Sequence, residues 1–304
     1  MESGPVVDRR TTVQIDRILC PVDFSEISAK AYRYAQSIAC HYHAQMISQH
    51  VVELWQYPEL DFAVRAEHYY QSRQALMSKA QAELRLFVAT HGGVQPERVV
   101  QEGRAADAIL SLAQARAVSL IVMGTHGRSG FDHLMFGSVT ERVLRHAPCP
   151  VLAIPPKAPD ESGANVAVDP ARVQRILCGV DFSAHSQRAL EYALSVADAY
   201  HAEVAVLHVL ENVPESANVA VETTAAMENL RKLLPPAGDG SPKPDLEVRL
   251  GKAYRGILDF AAERQSNLII VGTRGRNSLD QQVFGSTAYR VIQLYPGPVL
   301  TVPI

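Results

Sequence analysis

Short apolar runs alternate with amphipathic stretches along the whole chain. Arg17–Val22 is an apolar run that ends in a polar turn, the mark of a buried strand. From Ser28 to about His41, the residues Ala31, Tyr34, Ala35, Ile38 and Ala39 recur at helical spacing and share one face. Further strands are expected at Met46–Val52, Arg98–Gln101, Leu120–Met123 and Val151–Ile154. Helical stretches fill the intervals at Ala66–Ala89, Ala105–Ala115 and Ser138–Arg145, and His91-Gly92-Gly93 supplies a C-cap for the longest. Strands that are apolar throughout and separated by helices predict a mostly parallel α/β sheet covered on both faces.

The same pattern then repeats. RILCPVDFSE at 17–26 returns as RILCGVDFSA at 175–184, and GTHGRSGFDHLMFGS at 124–138 returns as GTRGRNSLDQQVFGS at 272–286. APCPVLAIP at 147–155 is answered by YPGPVLTVP at 295–303. The offset is 158 at Asp23/Asp181 and at His50-Val51/His208-Val209, but 148 at Gly103/Gly251 and Gly124/Gly272. The second copy is therefore ten residues shorter, and the difference falls between residues 52 and 98. A chain of 304 residues, 47% hydrophobic, suits two such units, each with its own core. The stretch PPKAPDESGANVAVDPAR reads as a linker, which gives one domain over 13–156, a linker over 157–172 and a second domain over 173–304.

Two polar turns directly follow apolar strands in each copy: Asp23-Phe24-Ser25 and Gly124-Thr125-His126-Gly127. Open α/β sheets bind ligands beyond the carboxyl ends of their strands, where the strand order reverses. If the two strands are neighbours there, the turns face one another over a crevice. Gly124 and Gly127 lack a Cβ, so backbone amides can approach a bulky anion and φ can be positive. After nine further residues Gly137-Ser138-Val139-Thr140 opens a helix, whose first amides and dipole favour an anion. Ser138 and Thr140 add hydroxyl donors. Arg128 and Arg276, each just after the second glycine, offer charge-assisted bonds of roughly 1.5–3 kcal/mol to phosphate oxygens. One pair of glycines would read as a tight turn. The pattern Gly-x2-Gly-x9-Gly-Ser, kept twice beside matching Asp-Phe-Ser turns, favours a phosphate site.

These motifs together resemble the universal stress protein family, specifically its tandem two-domain members and its ATP-binding subset. The resemblance covers nearly the whole chain outside the linker and the first dozen residues. It implies a five-stranded Rossmann-like sheet per domain, with adenine and ribose near the strand-one turn and phosphates on the glycine loop. It places Asp23 at the ribose or adenine beside Pro21 and Val22, Val51 at the adenine, and Met123, Gly124, His126, Gly127, Gly137, Ser138 and Val139 at the phosphates. In the second copy the matching positions are Asp181, Val209, Val271, Gly272, Arg274, Gly275, Gly285, Ser286 and Thr287. Two departures stand out: Gly179 replaces the proline and Arg274 replaces the histidine, which makes the second site the weaker one expected. The cofactor implied is ATP, with or without Mg, and the role implied is regulatory, with a protein partner that is unknown. Enzyme readings, an ATPase or an adenylate-transferring ligase, lack the Gly-x4-Gly-Lys-Ser/Thr loop and a Ser-Gly-Gly loop after the first strand. A nucleotide-free scaffold, with the loops serving only as turns, is the remaining alternative.

Other features narrow the field. A formal charge of −3, without long single-sign runs, gives no footprint for nucleic acid or an anionic membrane. No apolar run approaches the roughly 20 residues that span a bilayer, and Met1-Glu2-Ser3-Gly4-Pro5 does not read as a secretory signal. Cys20, Cys40, Cys149 and Cys178 lack metal-ligand spacing, and three of them lie in apolar segments, so free thiols in a reducing cytoplasm are expected. His41-x-His43 reads as solvated rather than metal-binding, His126 has no nucleophile or second carboxylate beside it, and His50 and His208 read as satisfying backbone groups. No catalytic residue and no metal site is expected. The last strand of each copy, Val151–Ile154 and Val299–Val302, would be an unpaired apolar edge. Pairing of the two edges across a two-fold, an internal pseudo-dimer, is therefore expected. A homodimer of whole chains is a weaker expectation.

Overall fold

A computed structural model describes residues 13–53, 66–127, 136–159, 173–211, 213–214, 218–235, 243–275 and 284–304, with the side chains of 66–69 left out. The first repeat runs β1 (Arg17–Pro21), α1 (Glu26–Tyr42), β2 (Gln45–Val52), α2 (Ala66–His91), β3 (Glu97–Glu102), α3 (Ala105–Ala115), β4 (Leu120–Gly124), α4 (Ser138–His146) and β5 (Val151–Ile154). The second runs β6 (Arg175–Gly179), α5 (Ala184–Tyr200), β7 (Glu203–Leu210), α6 (Val219–Leu233), β8 (Asp245–Leu250), α7 (Ala253–Glu263), β9 (Leu268–Gly272), α8 (Ser286–Leu294) and β10 (Val299–Val302). All ten strands form one sheet in the order β3-β2-β1-β4-β5-β10-β9-β6-β7-β8. Pairing is parallel within each repeat and antiparallel only at the β5–β10 seam, where Leu300 faces Leu152.

Period-two alternation sorts the strand residues between two layers. Ile18 and Cys20 face the layer of α1, α2, α5 and α6, and Leu19 faces the layer of α3, α4, α7 and α8. Every position of β5 and β10 is buried, and full burial of a Val, Leu or Ile side chain contributes about 1.5–3 kcal/mol. The seam is thus part of the core and not a contact made by a tether. Further contacts cross it: Val13 N donates to Ser195 Oγ at 2.8 Å, Phe136 meets Tyr289 edge-on at 4.7 Å, and His41 stacks on Tyr200 at 3.8 Å. The start of the linker is also held, because Lys30 Nζ donates to Pro156 O and Ala158 O, and Ala158 is buried. The two outer strands are guarded by charge. Glu97 pairs with Arg116, Glu102 with Arg73, and Asp245 with Arg264, which opposes further edge pairing.

The second helix of each repeat carries most of the length difference, α2 with 26 residues against α6 with 15, and the connections on either side of it make up the balance. α1 begins two residues earlier than its apolar periodicity predicts, because Ser25 caps it by accepting from Ser28 N at 3.1 Å. The expected glycine cap of α2 is present: Gly92 has φ +60° and its N–H donates to Val88 O at 3.2 Å. All four thiols are free, with only Cys40 exposed. Burial pushes the Cys149 and Cys178 thiols up to about 12, and that of Cys20 higher still, which keeps them protonated and unreactive. Among the described residues no helix is long and apolar enough to cross a membrane.

Candidate functional site

The strand order reverses between β1 and β4, which pair at Ile18↔Leu120 and Leu19↔Ile121, and again between β6 and β9. The two polar turns of each repeat therefore lie side by side at one end of the sheet, as the switch-point argument requires.

The Asp-Phe-Ser turn is tightly wound. Asp23 Oδ1 accepts from Ser25 N at 3.0 Å and from Ser25 Oγ at 2.6 Å, while the same hydroxyl caps α1. This folds Phe24 to φ +65°, a region that bulky residues rarely occupy. The ring then packs 4.4 Å from His50, whose Nδ1 lies 2.7 Å from Val22 O. The second repeat reproduces every part: Asp181 holds Ser183, Phe182 has φ +64°, and His208 Nδ1 lies 2.7 Å from Val180 O. His50 and His208 thus satisfy backbone carbonyls, as their positions suggested.

Asp23 meets the glycine loop directly. A Cβ on Gly127 would stand 2.7 Å from Asp23 Oδ2, and one on Gly275 would stand 2.8 Å from Asp181 Oδ2. Close approach, and not a left-handed backbone, is what requires glycine here. Gly124, Gly127 and Gly137 and their counterparts all have ordinary φ, which corrects the expectation of positive values. Gly137 N donates back to Thr125 O at 3.0 Å, and Gly285 N to Thr273 O at 2.8 Å, folding each loop onto the start of α4 or α8. In the first turn the amides of Ser138 and Val139 have no partner within the helix. Thr140 has a different role from the one expected. It is buried and its Oγ1 donates to Gly124 O at 2.9 Å, so it clamps the loop to α4 and its hydroxyl proton is not free for phosphate.

In the second repeat these elements enclose a cleft of about 140 Å³. Asp181, Val209 and Val271 line it together with Gly272, Arg274, Gly275, Gly285, Ser286 and Thr287. Every second-copy residue expected there and described is in that lining. In the first repeat Pro21, Val22, Asp23, Val51, Met123, Gly124, His126, Gly127, Gly137, Ser138 and Val139 hold the corresponding positions around β1, β2, β4 and the start of α4. Arg128 and Arg276 lie outside the described residues. His126 Nδ1 is 2.9 Å from Thr125 Oγ1. The proline-to-glycine change does not leave a hole, because a Cβ at Gly179 would come within 3.0 Å of Ile257 Cδ1.

Two residues at the helix starts beside the sites escaped sequence reasoning. Glu53 and Glu211, just past the ends of β2 and β7, accept at 2.8 Å from Ala105 N and Ala253 N, the first residues of α3 and α7. Glu211 and Ala253 both line the second cleft. The signal was available, since Glu53 and Glu211 match at the same offset as the neighbouring His-Val pairs. His185, where the first repeat has Ile27, sits against Gly272, and its pKa is held below the ordinary histidine value. Burial is the main cause, the Arg274 charge adds to it, and Asp181 opposes both. Among the described residues no group of three His, Cys, Asp or Glu side chains is placed to hold a metal. His41 is engaged in its stack on Tyr200.

An open parallel sheet with paired polar turns at each switch point defines a tandem Rossmann-like α/β protein. The chain belongs to the Universal stress protein family, which matches it over residues 14–155 and again over 172–303. It is similar along its length to a universal stress protein of Mycolicibacterium smegmatis, 25% identical over 293 residues, or 94% of this chain and 96% of that one. A universal stress protein of Methanocaldococcus jannaschii is 30% identical over 142 residues, covering 45% of this chain and 81% of that protein. The fold matches the crystal structure of a universal stress protein from Archaeoglobus fulgidus with a TM-score of 0.63 at 23% identity, covering 96% and 97% of the two chains.

Proposed function

We propose that this protein is an ATP-binding member of its family, holding one nucleotide in each repeat and acting as a cytoplasmic regulator rather than an enzyme. The observation that carries the reading is the convergence of Asp181, the glycine loop and the start of α8 on one cleft, with Arg274 in its wall. Val209 and Val271 supply apolar surface for adenine, and the amides of Ser286 and Thr287 at the start of α8 supply donors for the phosphates. Among the described residues the Ser25 hydroxyl that bonds Asp23 also caps α1, which supports a binding role for this turn rather than a nucleophilic one. Binding in the micromolar range corresponds to about −8 kcal/mol per site.

Calorimetric titration of the full chain with ATP tests the proposal, with native mass measurement of the freshly purified protein beside it. Two equivalents bound and no multiple turnover with Mg are expected. A titration without heat or added mass would leave the loops as turns only, and sustained phosphate release would make the protein an ATPase.

A further inference from the structure

The second cleft has an electrical polarity. Among the described residues its charged lining is Arg274, in the glycine loop, and the carboxylates Asp181 and Glu211. Asp181 Oδ1 takes both Ser183 donors, while its Oδ2 faces Gly275. Glu211 stands on the strand that carries Val209, one residue past its end, with Oε1 on the first amide of α7. A helix start there would otherwise be a second anion site in the same cleft. Glu53 does the same for α3 in the first repeat, at the same 2.8 Å. The fold thus presents two helix starts at each site and fills one of them with its own negative charge. An acidic side chain just past the second strand of a parallel sheet is also where dinucleotide folds select a free ribose hydroxyl over a phosphorylated one.

We infer that Glu53 and Glu211 are specificity-determining residues that admit adenine nucleotides with free ribose hydroxyls and reject those carrying a 2′- or 3′-phosphate. This rests on the nucleotide reading of the clefts. A ribose phosphate would bring about two negative charges to a helix start that a carboxylate already occupies, and like charges at such range repel.

The test is displacement of bound ATP from the full chain by AMP, by adenosine 2′,5′-bisphosphate and by adenosine 3′,5′-bisphosphate. In the wild type both bisphosphates should compete about tenfold more weakly than AMP, despite their greater charge. The double variant Glu53→Gln, Glu211→Gln keeps an acceptor for each helix amide and removes only the charge. It should narrow that gap about three- to tenfold, while ATP itself tightens about twofold because fewer carboxylates face a polyanion. If the carboxylates are only helix caps, the glutamine variant changes the melting temperature and leaves the ratio where it was, which overturns the inference. Bisphosphates that compete as well as AMP against the wild type overturn it too, while ATP binding stands. Failure of the wild type to bind ATP at all overturns the nucleotide reading and takes this inference with it.

Discussion

The two clefts share a backbone and differ in their walls. In both, the aspartate turn, the strained phenylalanine, the histidine beneath it and the glutamate just past the second strand match residue for residue at the repeat offset. Around the first turn lies an aromatic cluster, with Phe24 5.8 Å from Phe87, and Phe87 in turn 5.2 Å from Tyr32 and 4.3 Å from His91. At the second, Phe182 meets only His208 among the described ring contacts, and Leu190 stands where Tyr32 does. The first glycine loop carries His126 and rests on Ile27; the second carries Arg274 and rests on His185. What has been kept is the backbone geometry that a phosphate needs. What has drifted is the charge and stiffness around it, so the two sites should differ in strength and in their response to pH and not in their architecture.

The largest effect separates the sites outright. Gly137→Val should empty the first site by a hundredfold or more, because two or so charge-assisted bonds of roughly 1.5–3 kcal/mol each are blocked. Its own fold should hold, since a Cβ there has no neighbour closer than 3.9 Å. Gly285→Val should empty the second site and also loosen it, because a Cβ there comes 3.2 Å from Thr273 O. Calorimetric stoichiometry falling from two to one in each variant, with the melting temperature lowered only in the second, is the expected record. A double variant that binds like the wild type would end the comparison. Next in size, Arg274→Ala should weaken the second site about tenfold, the share of one charge-assisted bond. Tightening instead would mean that the arginine closes the cleft. The two sites are resolved by making this change on the Gly137→Val background.

Phe24→Ala and Phe182→Ala probe stiffness. The first should lose about 1 kcal/mol more than the second in urea denaturation, the amount typical of an additional aromatic pair. Equal losses would show that the cluster around Phe87 adds nothing at the turn. The smallest effect is one of pH. His185 is held below its ordinary 6.5, so the unfolded chain takes up its proton first, and stability falls as pH drops from about 6.5 toward the folded value. His185→Ile should remove that slope, and Ile27→His should not be needed to see it. A wild type whose melting temperature is as flat as the variant's below pH 6.5 would rule this out.

Much of this was legible beforehand. Continuous apolar runs and the two offsets placed the strands, the seam and the segment in which the second copy is shorter, because burial on both faces leaves strands such as Leu120–Met123 no polar position. Asp23, Gly127 and their counterparts could be found because glycine and a turn carboxylate are chemically conspicuous. The reason for Gly127 could not, since it lies in an atom of Asp23, over a hundred residues away, that only the pairing of β1 with β4 brings close. Thr140 was misread for a related cause: a hydroxyl at a helix start looks the same in sequence whether it faces a ligand or the carbonyl of Gly124. Glu53 was passed over because an acid after a strand is usually just a solvated loop residue.

The antiparallel join of β5 to β10 has a consequence for how such a protein can be used. Two separate copies meeting at that edge would come apart on dilution, and their behaviour would follow their abundance. Here the partner is always at hand on the same chain, so assembly does not depend on how much protein the cell makes. The halves are also bound in fixed one-to-one proportion without being obliged to match. One half can therefore differ in the side chains around its cleft, as Arg274 and His185 differ from His126 and Ile27, without any matching difference in the other.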